Sequence, residues 1–156
     1  MLRWLKSLFG VPEPAGPPQP IRVFGASDLP ITQDGIQREQ EGWRLESAGG
    51  RTIRLFEVPV AAIEQCIVTY RAQLKTANLQ GGAYLEMWCR LPGRGEFFSK
   101  GFQQKVKGTT EWASYEVPFY LKKGQQPDLF KLNVVVEGSG TVWLRKLELL
   151  QTPLKG

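Results

Sequence analysis

Between Gln65 and Lys75 apolar and polar residues alternate one for one. Cys66, Val68, Tyr70, Ala72 and Leu74 fall on one side, and Gln65, Thr69, Arg71, Gln73 and Lys75 on the other. The same rhythm returns after Asn78-Leu79-Gln80-Gly81-Gly82. There Ala83, Leu85, Met87, Cys89 and Leu91 oppose Tyr84, Glu86, Trp88 and Arg90. A two-residue period with one apolar face predicts half-buried antiparallel strands. Phe130, Leu132, Val134 and Val136 alternate with Lys131, Asn133 and Glu137, and Val135 is the apolar exception. In the final stretch, Thr141 to Leu150, Val142 and Leu144 are out of step with Leu147 and Leu149. One inserted residue near Arg145-Lys146, a β-bulge, would reconcile them.

Shorter apolar runs complete the pattern. Ile21 to Phe24 predicts a first strand, and Gly42 to Leu45 and Thr52 to Phe56 flank Gly49-Gly50, a hairpin signal. Glu96 to Lys105 and Trp112 to Leu121 predict two more. Turns are expected at Leu91 to Gly95, Gly108 to Thr110, Lys122 to Pro127 and Gly138 to Gly140. Eight or nine strands at this spacing predict an all-β domain, a sandwich or barrel, with an antiparallel jelly-roll sandwich the expected form. Its expected limits are residues 21–151, followed by a tail at 152–156.

The amino-terminal end follows a different period. On a helical wheel Met1, Leu2, Trp4, Leu5, Leu8 and Phe9 occupy one arc of roughly 160°, with Arg3, Lys6, Ser7 and Gly10 opposite. This predicts a short amphipathic helix over 1–10, about 15 Å long and unable to stand alone in water. Leu2, Trp4, Leu5, Leu8 and Phe9 are its candidate contacts with a membrane surface or a partner. Five prolines in 11–20 predict an extended polyproline spacer of roughly 30 Å. No run of about 20 apolar residues is present for a spanning helix, and residues 1–10 are too short and interrupted for a secretory signal. The expected location is cytoplasmic, with peripheral attachment at the membrane.

Composition narrows the chemistry. Among 156 residues 42% are hydrophobic and 22% charged, enough for a packed core. There is no histidine, so the commonest metal ligand and general base are both missing. The net charge of +5 is dispersed among acids rather than gathered into a basic run, so no nucleic-acid partner is expected. Cys66 and Cys89 share the inward parity and are expected as two buried thiols. A bridge would require Cys66 nearly opposite Cys89. The sequence lacks a Cys-x-x-Cys pair, a phosphate-binding loop, a nucleophile elbow and a dinucleotide fingerprint. Glu86 and Glu96 could act as a glycosidase pair only at roughly 5–9.5 Å separation. No cofactor, metal or catalytic residue is therefore assigned, and a non-enzyme is expected.

Two motifs carry a family resemblance. One is Gly108-Thr109-Thr110-Glu111-Trp112-Ala113-Ser114-Tyr115-Glu116-Val117. The other is Gly138-Ser139-Gly140-Thr141-Val142-Trp143-Leu144, followed by Leu147-Glu148-Leu149. Through them residues 42–150 resemble the galactose-binding-like jelly-roll domains, the fold of many carbohydrate-binding modules. The resemblance implies a binding domain, since sister domains take sugars, proteins or lipids. It also implies acidic residues after the closing aromatic. Here Arg145 and Lys146 stand in those positions, and two cations cannot coordinate calcium.

A ligand face is expected where the strands at 65–75, 83–91 and 129–137 share a sheet. Trp88 and Tyr84 would then form an aromatic platform. Arg71, Gln73, Glu86, Arg90 and Asn133 would supply hydrogen bonds to sugar hydroxyls. Trp112 and Trp143 are read as core or sheet-edge packing. Two functions follow as expectations: a carbohydrate-binding-like module, or an accessory protein anchored by residues 1–10 that uses its sandwich to contact another protein.

Overall fold

The computed structural model describes residues 13–156. The predicted helix at 1–10 and the start of the spacer lie outside these residues. Among them the chain forms β1 (Gln19–Phe24), β2 (Ile36–Arg38), β3 (Gly42–Ser47), β4 (Arg51–Pro59), β5 (Cys66–Leu91) and β6 (Gly95–Lys100). A 3-10 turn at Phe102–Gln104 leads to β7 (Val106–Leu121), β8 (Leu129–Val136) and β9 (Gly140–Pro153).

All pairings between these strands are antiparallel, and one continuous ladder runs β2-β3-β9-β5-β8-β4. It curls at the middle of β5. The first half of β5 pairs with β9 and β7, and the second half with β8 and β6. Asn78 (φ 52°) and Gly81 (φ 75°) adopt left-handed backbone there, and the register with β7 slips on both sides of Leu79. An Asn and a Gly take this conformation at least cost, so the polar break in the alternation becomes a corner. The result is a jelly-roll β-sandwich. One layer holds β1, β2, β3, β9, the first half of β5 and most of β7. The other holds β4, β8, the second half of β5 and β6.

The core lies between the layers. Cys66, Val68, Tyr70, Ala72 and Leu74 meet Ala83, Leu85, Met87, Cys89, Phe130, Leu132 and Val134 in one buried cluster. Tyr70 crosses it, its hydroxyl donating to the Asn133 carbonyl at 3.2 Å. Both cysteines are buried free thiols. In β9 one extra residue separates the Gln73–Arg145 pair from the Arg71–Glu148 pair, and Lys146 takes φ 52°. This bulge returns Val142, Leu144, Leu147 and Leu149 to the same buried side.

Four details depart from the sequence reading. Gly49-Gly50 does not close a hairpin: β3 pairs with β2 and β9 while β4 pairs with β8, so the chain crosses between layers there. The three-residue strand β2 is too short and too polar to show a period. The strand expected over Glu96 to Lys105 ends at Lys100, and the next one begins at Val106, well before Trp112. At the ends, Ala15 N–H donates to the Pro153 carbonyl at 2.7 Å and Pro14 bridges Leu154. With Leu154 buried, the sandwich takes in residues expected as spacer and tail.

Candidate functional site

The corner in β5 divides the seven expected ligand residues between opposite outer faces. Tyr84, Glu86, Trp88 and Arg90 lie on the β8 layer with Asn133, which sits directly opposite Glu86. Arg71 and Gln73 lie on the β9 layer. The expectation of one shared surface fails because the two halves of β5 belong to different layers.

On the β8 layer most of the expected ligand groups serve the protein itself. Glu86 is buried, and its Oε1 accepts from Trp88 Nε1 at 3.0 Å and from Asn133 Nδ2 at 2.9 Å. Its Oε2 lies 3.4 Å from Lys100 Nζ. A buried carboxylate is tolerated only with such partners. Tyr84 is buried beneath Phe102, ring centroids 4.9 Å apart. Trp88 is half-buried and tilts against the exposed Phe98 at 5.3 Å. Arg90 grips Asp128 with both Nε (2.8 Å) and Nη2 (3.1 Å), which holds the Asp128 carboxyl below the usual carboxylate range. Glu96 pairs with Lys131 at 2.8 Å, so neither Glu86 nor Glu96 is poised as half of a catalytic pair.

The β9 layer carries the groove. Trp143 sits between buried Val142 and Leu144, and strand geometry therefore turns its indole outward. Trp112 on β7 shares outward parity with Ser114 and Glu116, while Val117 and Leu121 on the other parity are buried. Both tryptophans are half-buried and line a cavity of about 490 Å³. The segment 39–42, with Trp43, Leu144 and Arg145, completes the lining. Trp43 is buried and anchored through Nε1 to the Asp28 carbonyl at 3.3 Å.

Cations and aromatics alternate across this face. The Arg145 guanidinium lies 4.1 Å from the Trp112 ring centre, and Lys75 Nζ lies 5.3 Å from that of Trp143. Arg145 is fixed on two further sides. Its Nε donates to Gln73 Oε1 at 2.8 Å and its Nη1 to Glu41 Oε2 at 3.2 Å. Close approach of β3 to β9 shapes the wall. A Cβ on Gly42 would stand 1.9 Å from the Leu144 carbonyl oxygen, so only glycine fits. Arg71, farther along the same face, is bound to Glu148 at 2.8 Å.

Trp112 and Trp143, read from the sequence as core or sheet-edge packing, are thus half-buried and line this cavity. The signal was present as parity: Trp143 alternates with Val142 and Leu144, and Trp112 with Tyr115, Val117 and Phe119 one register away. Their convergence across β5 was not visible in the chain.

No family model and no curated protein sequence matches the chain. Solved structures do. One is a Stig cyclase, Fisc from Fischerella sp. TAU, with 12% identity over 92% of this chain and 81% of that one, at a TM-score of 0.53. Another is the CBM22-1 xylan-binding domain of Xyn10C from Paenibacillus barcinonensis, with 8% identity, coverage of 89% and 98%, and a TM-score of 0.49. A family 16 carbohydrate-binding module matches at 17% identity, coverage of 71% and 77%, and a TM-score of 0.46. What the chain shares with the first of these is the fold.

Proposed function

We propose that this chain is a non-catalytic binding domain that holds a carbohydrate across Trp112 and Trp143. The observation that carries the reading is the open groove between two half-exposed indoles, lined also by Arg145 and Glu41, with Arg145 hydrogen-bonded to both Glu41 and Gln73. An indole face accepts the apolar C–H face of a sugar ring. Guanidinium, amide and carboxylate groups suit its hydroxyls as donors and acceptors. The stacked guanidinium and its two fixed bonds hold these groups in place before a ligand arrives, which lowers the ordering cost of binding.

The test is a broad glycan array followed by titration of the best ligand. Trp143→Ala and Trp112→Ala should each weaken binding by about tenfold or more, near 1.4 kcal/mol. Trp88→Ala, on the opposite layer, should leave affinity within about twofold. Absence of binding to any glycan overturns the proposal. So does loss of binding in Trp88→Ala with the two groove variants unaffected.

A second reading is an accessory protein attached to a membrane or partner through Leu2, Trp4, Leu5, Leu8 and Phe9. Supporting it is the place where the chain enters the sandwich: the Glu13 carbonyl accepts from Lys155 N–H at 2.9 Å, and Lys155 shares a cavity edge with Lys122 and Lys123. A fluorescent fusion should lose its membrane or complex association when Leu5 and Leu8 become Asp. Unchanged association in that variant would end this reading.

A further inference from the structure

The end strands of the two layers are protected to different degrees. Beside β4, Ile31 and Thr32 donate their N–H groups to the Leu55 and Arg54 carbonyls, both at 2.9 Å. On β7, Pro118 has no N–H to offer, and the Glu116 N–H is taken by Gln104 Oε1 at 3.2 Å. Strand β6 carries neither device. It contains no proline, and among the described residues only β5 pairs with it. Phe97 is 43% exposed and Phe98 55%. An open edge bearing exposed aromatic side chains is a template for another strand.

The backbone selects which strand fits. Gly101 N–H donates to the Leu85 carbonyl at 2.9 Å, and Lys100 stands opposite Glu86, so Gly101 and Leu85 continue the register as a hydrogen-bonded pair. Alternate residues of an antiparallel strand turn their backbone groups to opposite sides. Gly95, Phe97 and Ser99 therefore bond toward β5, while Glu96, Phe98 and Lys100 present N–H and C=O to the open side. These three also share one face, opposite Arg90, Trp88 and Glu86.

A second β6, laid antiparallel on the first, engages all three outward residues of both copies in one register alone. Phe98 then meets Phe98, and Glu96 meets Lys100 twice. Opposite charges flank two phenyl rings, each backed by its own Trp88 at 5.3 Å between ring centroids. A two-residue shift would instead set Phe98 against a charge and leave one outward residue of each copy without a partner. Both charged groups retain capacity for this contact. Glu96 reaches Lys131 through Oε1 at 2.8 Å, and Lys100 reaches Glu86 at 3.4 Å. A carboxylate has a second oxygen, and an ammonium has three donors.

We propose that two copies of this chain pair through β6 about a two-fold axis at Phe98, joining their β8 layers into one continuous sheet. The same patch serves on both copies, so the assembly closes at two. Six residues a side make a small interface, and a reversible dimer with a dissociation constant of roughly 10–100 μM is expected. The Trp112–Trp143 groove lies on the β9 layer and plays no part in the contact.

Sedimentation velocity of the full chain from about 5 μM to about 1 mM tests it. The parent should pass from one chain to two across this range. Phe98→Pro removes an outward N–H and leaves the bonds to β5 in place, so it should stay monomeric throughout. Near-ultraviolet circular dichroism checks its fold. Should that variant unfold, Phe98→Lys keeps the backbone, sets two ammonium groups together on the axis and should also stay monomeric. Glu96→Lys exchanges two attractive pairs for two repulsive ones and should weaken the dimer by roughly tenfold. A parent that remains monomeric at about 1 mM overturns the proposal. So does a dimer that survives both Phe98 variants, which would place the contact elsewhere. A dimer lost in those variants but unchanged in Glu96→Lys overturns the register.

Discussion

Glu86→Ala removes an acceptor shared by Trp88 Nε1 and Asn133 Nδ2 and leaves the Lys100 ammonium without its counter-charge. Breaking a buried pair from one side should cost about 3 kcal/mol in urea unfolding, while Glu86→Gln, which keeps an acceptor, should cost less. Equal stability of all three proteins would show the network to be unimportant. The thiols give a pH prediction. Burial pushes Cys66 up to about 11; burial, then Asp128, then Cys66 push Cys89 up to about 12. Burial first, and Glu86 second, also raise the Tyr70 phenol above its ordinary 10.0. Each raised value favours the neutral form in the folded chain. Their stabilisation is complete below an ordinary thiol value of 9.0 and is lost as pH rises from there toward 12. Denaturation midpoints should fall through that window, and Cys89→Ala should flatten the fall. A wild-type profile no steeper than that of Cys89→Ala would contradict this assignment. At this scale the sequence was informative about burial. The inward parity of Cys66, Cys89 and Tyr70 was legible; the satisfied state of Glu86 was not, because two of its partners, Lys100 and Asn133, come from β6 and β8.

Among the elements, β9 shows how a local irregularity can be required by a global one. Its bulge at Lys146 keeps two pairs of apolar residues on one side. Deleting Lys146 should turn either Leu147 and Leu149 or Val142 and Leu144 outward, since a one-residue slip reverses a strand's faces. Expression of folded protein, read by near-ultraviolet circular dichroism, should be lost. A folded deletion variant would mean that the bulge is dispensable. Gly42→Ala is the companion test: with 1.9 Å between the new Cβ and the Leu144 carbonyl, β3 must move away from β9. A loss of about 3 kcal/mol or more is expected, together with weakened binding at the Trp112–Trp143 groove. Stability unchanged within about 0.5 kcal/mol would contradict the close approach. The bulge could be read from parity alone, whereas Gly42 looked like an ordinary strand start.

For the whole molecule, β5 belongs to both layers, and one buried cluster joins them. Unfolding should therefore be a single transition, with coincident midpoints by far-ultraviolet circular dichroism and tryptophan fluorescence. Separated midpoints would show that the layers unfold independently. The alternation along the chain by itself determined an all-β sandwich or barrel, the inward set of each long strand and the bulge in β9. These follow from a two-residue period and from the need to bury one face, both local properties of the chain. Only the tertiary structure decided which outward residues meet. The left-handed corner at Asn78 and Gly81 sends Tyr84, Glu86 and Trp88 to one face and Arg71 and Gln73 to the other. Trp112 and Trp143, remote in sequence, come to line one cavity with Arg145. A surface is made by strands whose order in the sheet is set by long-range pairing, and no period along one strand contains that order.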